Sequence, residues 1–341
     1  MSLSPQDSGV LPASTTRGEG ARSGVLTRPT ASSRRRASLL TRLRRSWGLY
    51  LALAPTLLLI AVFAYWPTVN GFIQSFFSST NTQVNVFVGL DNYSQLLNDS
   101  VFWGGFLNAI KYFVFGITVG WILPFVTAEL LITLSSMRLQ YILRTALILP
   151  MAFPAAVFGF VWSFLYDPNV GVFNAFLKGV GLGGLAHNWL GDPHTALGAL
   201  MVIGFPIMFI SGGGGLPFLL LLAGLQNIER EVLEAASIDG CGRFRRILAI
   251  DLPLLGSQFG LLFMLALVGF TQAGAITLLL TTSGGPAYAT MTPLVWLIQS
   301  GINAGNFGYG AAMGVVLFVV SVALSMTFLG VRRLRAGLVL S

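Results

Sequence analysis

Six long apolar stretches dominate the pattern of hydrophobic and polar positions along the 341-residue chain. They cover approximately residues 47–68, 105–134, 141–165, 196–224, 256–280 and 308–331. Each is near or above the ~20 residues that a helix needs to cross the hydrocarbon core of a bilayer. The stretches lack the alternation of a barrel strand, and a spanning backbone must satisfy its own hydrogen bonds. The pattern therefore predicts an all-α integral membrane protein with about six transmembrane helices.

The composition supports a lipid environment. Hydrophobic residues make up 54% of the chain and charged residues 9%, and the mean hydropathy is +0.76. Soluble domains carry about 25% charged residues. Because a surface that faces water needs polar groups, this composition excludes a single soluble domain.

The positive charges predict the orientation of the chain. Of the 20 Lys and Arg residues, all but Lys111 and Lys178 lie in the N-terminal tail, after the second or fourth apolar stretch, or after the sixth. The positive-inside rule then places both termini in the cytosol, which requires an even number of spans. The same placement makes membrane orientation, rather than nucleic-acid binding, the better explanation of the net charge of +8.

Three segments are predicted along the chain. Residues 1–45 are rich in Ser, Thr, Gly, Pro and Arg and are expected to form a disordered basic cytosolic tail. Residues 46–335 form the transmembrane domain, and residues 336–341 form a short C-terminal tail. Residues 33–40 weakly resemble a twin-arginine export signal, but the apolar run that follows is long enough to span, which favours a basic cytosolic anchor.

The connection between the fourth and fifth stretches, about residues 226–253, is the most informative segment. Ile228, Val232 and the pair Ala235–Ala236 share one helical face. Asp239–Gly240 predicts a helix stop, because glycine adopts the left-handed conformation without steric cost. The segment therefore begins with a short cytosolic helix that carries a small alanine surface.

A second short helix is predicted over residues 243–250, and Pro253 suits the start of the next span. The alternative is an amphipathic loop that lies on lipid headgroups. An anionic leaflet would repel the five acids of the loop, which are Glu229, Glu231, Glu234, Asp239 and Asp251. A protruding helix–turn–helix is therefore the better prediction.

This loop resembles the EAA loop of the permeases of binding-protein-dependent ABC importers. The matching elements are Glu234-Ala235-Ala236, Gly240 after three residues, Ile250 after nine more, and Leu252-Pro253. Other segments are similar to the sugar-transporting branch of the family, and the resemblance covers about residues 48–335. These segments are Phe87–Tyr93, Arg144–Thr145, Leu149–Pro150, Leu222–Gln226, Thr282–Pro286 and Phe307–Tyr309.

The chain departs from the family pattern at a few positions. The family usually has Pro at the position of Glu229, Ala at that of Cys241 and an uncharged residue at that of Asp251. An aromatic pair common in the family is replaced by Ser300–Gly301. These departures leave the resemblance intact and leave the identity of the solute open.

The resemblance implies that the loop is a coupling helix docked on a cytosolic ATPase. Glu234 would pair with a basic residue of the ATPase, Ala235 and Ala236 would permit close approach, and Asp239 with Gly240 would shape the turn. Closure of the ATPase dimer on ATP would then move the spans between inward- and outward-facing states.

The resemblance also implies the partners and the location. A cytosolic ABC ATPase dimer, a second homologous permease subunit and an extracytoplasmic solute-binding protein would assemble with this chain in the bacterial cytoplasmic membrane. The binding protein would deliver a carbohydrate to the outer loops, chiefly 69–104 and 281–307. The chain has no Gly-x-x-x-x-Gly-Lys-Ser/Thr loop, so it is expected to be no enzyme and to bind no cofactor, with ATP and Mg at the partner ATPase.

Polar and aromatic residues within the spans are candidates for the substrate path. Sugars are held by aromatic faces and by amide or carboxylate groups. Gln272 with Thr271 on the fifth stretch, Asn108 on the second and Trp162 on the third fit this chemistry. For each of them taken alone, hydrogen bonds between helices or an interfacial aromatic belt are the better explanation. Glu129 is the one acid deep in a span, and it is a functional candidate for that reason.

A glycine run interrupts the fourth stretch. Gly213 lies within Gly212–Gly215, between Pro206 and Pro217. A helix break at this depth either lines a wet cavity on the substrate path or permits close packing of helices through small residues.

Parts of the sequence also fit functions other than that of an ABC importer. His187, Asp192 and His194 suggest a membrane-embedded enzyme, but their spacing fits no metal motif and a proline turn explains them, so no metal is expected. Cys241 is the only cysteine, which excludes an intrachain disulfide and a cysteine metal cluster. A secondary transporter or channel would work without ATP and needs no coupling helix. An importer of another polar solute, such as a glycerol phosphodiester or polyol, is the further alternative.

Overall fold

The computed structural model describes residues 47–80, 83–204 and 215–339. The chain divides into two compact units, residues 1–60 and 61–341. In the first unit, helix α1 (Trp47–Ile60) is described. The predicted tail of residues 1–45 and Gly213 lie outside the described residues.

The second unit begins with a π-helical turn (Ala61–Tyr65) and helix α2 (Trp66–Gln74). Strands β1 (Phe77–Thr80) and β2 (Gln83–Phe87) pair antiparallel as a hairpin. The helices that follow are α3 (Asp91–Leu97), α4 (Ser100–Ile132), α5 (Met137–Ile148), α6 (Ala155–Leu165), α7 (Val172–Gly179), α8 (Ala196–Met201), α9 (Leu216–Gln226), α10 (Arg230–Ile238), α11 (Arg243–Arg246), α12 (Leu252–Leu254), α13 (Gly256–Thr271), α14 (Ala275–Leu280), α15 (Pro293–Trp296) and α16 (Phe307–Val339).

Helices dominate the described residues, which confirms the all-α prediction. Within the described residues the hairpin of β1 and β2 forms the one sheet. This hairpin and α3 lie in the connection over residues 69–104, which the sequence predicted to be an outer loop. The two strands pair Phe77 with Phe87, and their rings meet edge to face with centroids 5.4 Å apart.

Three stretches of the described chain are long and apolar enough to span a bilayer as helices. They are Tyr50–Gln74, Ser100–Ile132 and Phe307–Leu334, and they correspond to the first, second and sixth predicted stretches. A further span is formed if Arg243–Leu254 and Gly256–Thr271, which meet at a bend of 62°, are taken together. The shorter apolar helices Ala156–Leu165 and Leu216–Gln226 lie in the third and fourth predicted stretches.

The prediction of unbroken helices is wrong for the third and fifth stretches. Helix α5 ends at Ile148, and Pro150 and Pro154 separate it from α6. Proline lacks the donor that a helix interior needs and keeps the residue before it extended. Helix α13 ends at Thr271, and Gly274, with a φ of +123°, precedes the first residue of α14. In the fourth stretch, α8 ends at Met201, and α9 begins at Leu216 after Gly215, which has a φ of +89°.

The largest hydrophobic core joins α4, α9 and the start of α13. Phe218 and Leu221 on α9 are fully buried, and they pack with Ala128 and Leu131 of α4 and with Leu255. Ile228, in the turn that leads to α10, packs against the same cluster. The base of the predicted coupling helix is therefore held by the core.

A second cluster is organised around Asp99, the residue before α4. One carboxylate oxygen accepts the backbone N–H groups of Val101 and Phe102 at 2.9 and 3.0 Å, which caps the helix. The other oxygen accepts the indole N–H of Trp296 at 2.6 Å and the hydroxyl of Tyr309 at 2.5 Å. A single side chain thus connects α4, α15 and α16.

We expect Asp99→Asn to lower the stability of the solubilised protein by about 3 kcal/mol, because it weakens a helix cap and two hydrogen bonds to a charged acceptor. Asp91→Asn is the control, because Asp91 is an exposed acid at the start of α3. Thermal unfolding in detergent measures both. Equal losses in the two variants would contradict the role assigned to Asp99.

The same site gives the stability a pH dependence. Burial on its own would raise the pKa of Asp99, but the hydrogen bonds from Tyr309, Phe102, Trp296 and Val101 hold it below its ordinary value. The stabilisation is present above the ordinary aspartate pKa of about 4 and is lost as the pH falls through the lower folded value. The difference in Tm between wild type and Asp99→Asn should therefore shrink at acidic pH.

Candidate coupling surface and transport path

The predicted coupling helix is present as α10, and it ends where the sequence indicated. Gly240 has a φ of +67°. The N–H of Cys241 bonds to the carbonyl of Ala236 at 2.9 Å, and the N–H of Gly240 bonds to that of Ser237 at 3.2 Å. This pair of bonds is a Schellman motif, which closes a helix at a left-handed glycine. The turn therefore depends on Gly240, while Asp239 is the exposed residue before it.

The two alanines of the motif face different ways. Ala235 is exposed, whereas Ala236 is 6% exposed and packs against its own chain. Of the two alanines, Ala235 is therefore the one exposed at the surface of α10. The role of the pair in the close approach of a partner stays a prediction.

Glu234 is exposed beside Ala235. Its carboxylate makes no hydrogen bond or ion pair with the described residues, so it is free to meet a basic group. Ile238, at the end of α10, is 85% exposed, and Phe244 on α11 is 75% exposed. Sequence reasoning did not select these two residues, although large apolar side chains among charged neighbours are a typical sign of a protein contact.

The second predicted helix, residues 243–250, forms as α11 and continues as a π-helical turn from Ile247 to Asp251. Pro253 lies inside the short helix α12, and the next long helix begins after a bend at Leu255. The prediction that Pro253 starts the span is therefore wrong. The bend arises at Leu255, where φ and ψ of −78° and 7° depart from helical values.

Asn108 has a structural partner in the loop after α14. Its amide donates to the carbonyl of Ala289 at 3.1 Å and to that of Met291 at 2.9 Å. Three residues other than glycine adopt positive φ in this loop, which are Ser283, Ala287 and Tyr288. Such conformations are costly and persist where surrounding contacts enforce them. Asn108 supplies two of these contacts.

Buried threonines, which sequence reasoning missed, hold the same loop from its other side. Thr281 and Thr290 share a hydrogen bond of 2.9 Å, and Thr292 donates to the carbonyl of Ala273 at 2.6 Å. Tyr112 on α4 lies 3.3 Å from the hydroxyl of Thr277. The recurrence of threonine within an apolar region was the available signal. These bonds bring Asn108, the loop and the segment next to Gln272 together.

We expect Asn108→Asp to destabilise the protein by about 3 kcal/mol, because a carboxylate cannot donate and would face two carbonyl oxygens. Asn98→Asp is the matched control, since Asn98 is exposed and caps a single turn. Limited proteolysis of the loop over residues 282–291, together with thermal unfolding, measures the effect. Unchanged protection of the loop in Asn108→Asp would contradict this account.

Thr271 and Gln272 are adjacent, but they face in different directions. Thr271 is 8% exposed, and its hydroxyl donates to the carbonyl of Val268 at 3.1 Å, a bond within its own helix. The side chain of Gln272 is exposed and makes no hydrogen bond with the described residues. Of the two, Gln272 keeps the donor and acceptor groups that a sugar hydroxyl requires.

Trp162 belongs to a separate aromatic cluster. Its ring centroid lies 5.4 Å from that of Tyr166 and 5.6 Å from that of Phe173. It lines a cavity of about 630 Å³ whose other described walls include Tyr166, Phe173, Trp189, His194 and Thr195. The ring is 7% exposed, so access to its face is limited to this cavity. The structure does not bring Trp162 together with Asn108 or Gln272.

The residues that suggested an enzyme form a turn. His187 Nδ1 lies 2.7 Å from the carbonyl of Leu185, and its ring lies 4.0 Å from that of Trp189. A carboxylate oxygen of Asp192 accepts the backbone N–H of His194 at 2.9 Å. These contacts fix the path of the loop and need no catalytic explanation.

Comparison with known proteins adds relatives of defined role. No family model matches the chain. The trehalose/maltose transport system permease protein MalF of Thermococcus litoralis is 31% identical over 289 residues, covering 84% of this chain and 94% of that protein. The sn-glycerol-3-phosphate transport system permease protein UgpA of Agrobacterium fabrum is 33% identical over 285 residues, covering 81% of this chain and 91% of that protein.

The fold is similar to that of solved importers. A crystal structure of a bacterial ABC transporter for the acidic polysaccharide alginate matches with a TM-score of 0.75 at 20% identity, over 86% of this chain and 98% of that one. The alginate transporter in complex with an alginate pentasaccharide-bound periplasmic protein matches with a TM-score of 0.73 at 20% identity, over 85% of this chain and 95% of that one.

Proposed function

Because the chain belongs to the permease subunits of binding-protein-dependent ABC importers, we propose that it passes a sugar or oligosaccharide across the membrane by alternating access. Sugar uptake is favoured by the relative named for trehalose and maltose and by the alginate transporters of similar fold. The relative named for sn-glycerol-3-phosphate makes a glycerol phosphate compound the second candidate.

The observation that carries the proposal is the exposed surface of α10. The helix is closed by Gly240, its base is held by Ile228 in the core, and it presents Glu234, Ala235 and Ile238 outward. This combination of a free acid, a small residue and an exposed apolar residue suits a docking element that pushes on the core to which it is attached.

The partner of α10 would be a cytosolic ABC ATPase dimer that binds ATP and Mg, while this chain binds no cofactor. A second homologous permease subunit would complete the path. A solute-binding protein would deliver the substrate from outside. Both termini would lie in the cytosol, in accord with the distribution of Lys and Arg.

Within the path, Gln272 is the best-placed of the candidate contacts, because its amide is exposed and unpaired within the described chain. Asn108 would act indirectly by holding the loop over residues 282–291. Trp162 would act at its own cavity. Phosphate sites use Arg or Lys, and Lys111 within the span Ser100–Ile132 is the residue that would serve the second candidate, a glycerol phosphate compound.

The test is purification of the tagged chain from its native membrane in mild detergent, with copurifying proteins identified by mass spectrometry. We expect an ATPase and a second permease, and the untagged strain is the control. The copurifying or genetically adjacent binding protein is then titrated with neutral sugars and with sn-glycerol-3-phosphate. Recovery of the chain alone, even after crosslinking, would favour a secondary transporter or channel instead.

A further inference from the structure

Two acids that are far apart in the sequence meet at one arginine. Glu129 lies in the last turn of α4, and Asp251 ends the π-helical turn after α11. Arg246 Nε donates to Asp251 Oδ2 at 3.0 Å, and Arg246 Nη2 lies 3.8 Å from Glu129 Oε2. The side chains of Glu129 and Asp251 are 4% and 1% exposed and that of Arg246 is 26% exposed, so water screens the two carboxylates only weakly.

The pairing is unequal. Both carboxylate oxygens of Glu129, and Oδ1 of Asp251, lack a hydrogen-bond partner within the described chain. Asp251 holds the guanidinium by a hydrogen bond, whereas 3.8 Å to Glu129 is too long for one. A buried carboxylate without hydrogen bonds is strongly disfavoured. A small displacement of Arg246 toward Glu129 would therefore give Glu129 a hydrogen-bond partner and take that partner from Asp251.

The segment that carries Arg246 is mechanically connected to α10. Arg243, three residues earlier, donates to the carbonyl of Glu129 at 3.5 Å and to the hydroxyl of Thr133 at 3.2 Å. The carbonyls of the last turn of a helix lack partners within it, so Arg243 caps α4. Arg246 lies five residues nearer to α10 along the chain than Asp251, which is 1% exposed, and Glu129 belongs to α4. A shift of α10 thus moves Arg246 relative to both acids.

We propose that Arg246 is a positioning residue that couples α10 to α4 by exchanging between Asp251 and Glu129. In the structure described here it is held by Asp251. Displacement of α10 by the ATPase moves it to Glu129 and so pulls on the end of α4. This inference rests on the proposed function.

The proposed exchange predicts that two isosteric variants change the rate of ATP hydrolysis in opposite directions. Asp251→Asn leaves Glu129 as the charged partner and favours the displaced position of Arg246, whereas Glu129→Gln favours the position seen here. In the purified full complex in liposomes, ATP hydrolysis without substrate should rise in Asp251→Asn and fall in Glu129→Gln. Coupling between sites is typically about fivefold or more, so each change should approach that size. Glu229→Gln, which removes an exposed acid that lies before α10 and ~140° around the helical wheel from Glu234, is the control.

A second measurement does not depend on activity. Spin labels at Ser237→Cys on α10 and Thr118→Cys on α4, in a Cys241→Ala background, report the distance between the two helices. The two variants should shift the distance distribution in opposite directions, and the double variant Glu129→Gln/Asp251→Asn should lie between them.

The outcomes separate the two proposals. Changes of the same sign in both variants, or no change in either measurement, would show that the cluster is a static brace and would overturn the exchange. Absence of ATP-driven uptake by the wild-type complex would overturn the proposed function itself.

Discussion

Reversing the charge of Glu234 is expected to reduce ATP-driven uptake to the background of a strain without the permease, while the chain still inserts and folds. Glu234 is exposed and unpaired within the described chain, so its replacement by Arg removes no internal contact. At the interface with the ATPase, an attractive charge pair would become a repulsive one. A reversal of this kind costs several kcal/mol, and about 3 kcal/mol weakens association more than a hundredfold.

The matched control is Glu229→Arg. Glu229 precedes the first residue of α10, is exposed and makes no capping hydrogen bond with its side chain. Glu229→Arg makes the same charge change at the start of the same helix, and position 229 lies ~140° around the helical wheel from Glu234. We expect this variant to keep most of the uptake. The measurements are uptake of labelled solute, the amount of chain in the membrane and the recovery of ATPase with the tagged chain.

A loss of uptake with normal recovery of ATPase would place Glu234 in the transmission of movement rather than in docking. Uptake at the wild-type level in Glu234→Arg would remove this residue from the coupling surface. Equal losses in Glu229→Arg and Glu234→Arg would show that the net charge of α10, and not one contact, matters.

The local signals of the coupling segment were predictable because they depend on neighbours in the sequence. Asp239–Gly240 predicted the end of α10, and the Schellman bonds at Gly240 follow from the conformational freedom of glycine. The three long spans were equally readable, since length and apolar composition alone determine them.

The contacts between distant segments were not predictable. Glu129 and Asp251 were each notable in the sequence, one as an acid in a span and the other as a departure from the family, but nothing indicated that they share Arg246. Asn108 was selected for a sugar and instead holds a loop. In each case the partner is a backbone carbonyl or a side chain brought near by tertiary packing, which periodicity does not report.

The breaks in the third and fifth stretches were missed for a different reason. Pro150, Pro154 and Gly274 are visible in the sequence, but an average over an apolar window hides them. Prolines and glycines in spans are tolerated where other groups satisfy the backbone, and the bond from Thr292 to the carbonyl of Ala273 does so beside Gly274. These helix-breaking residues, and not the mean hydropathy of the stretch, determine where its helices end.

The departure at Ser300–Gly301 leads to the last prediction, because the structure explains why this chain has a small residue there. Gly301 lies in the π-helical turn after α15, where it is buried against the backbone of Gly310 on α16. A methyl group added at Gly301 would lie 2.6 Å from the Cα atom of Gly310, closer than any real contact. Because the obstacle is backbone, a side chain cannot move aside to relieve the clash.

We therefore expect Gly301→Ala to destabilise the protein by about 3 kcal/mol or more, and the aromatic residue typical of the family to prevent folding at this position. Gly314→Ala is the matched control. It is also a glycine-to-alanine change, on α16, and its added methyl group would meet Leu297 at an ordinary 3.7 Å. Its helix should gain slightly from the replacement of glycine by alanine, by about 0.5–1 kcal/mol. Thermal unfolding in detergent should show a lower Tm for Gly301→Ala and an unchanged or higher Tm for Gly314→Ala. An unchanged Tm for Gly301→Ala would mean that α15 and α16 can separate at no cost.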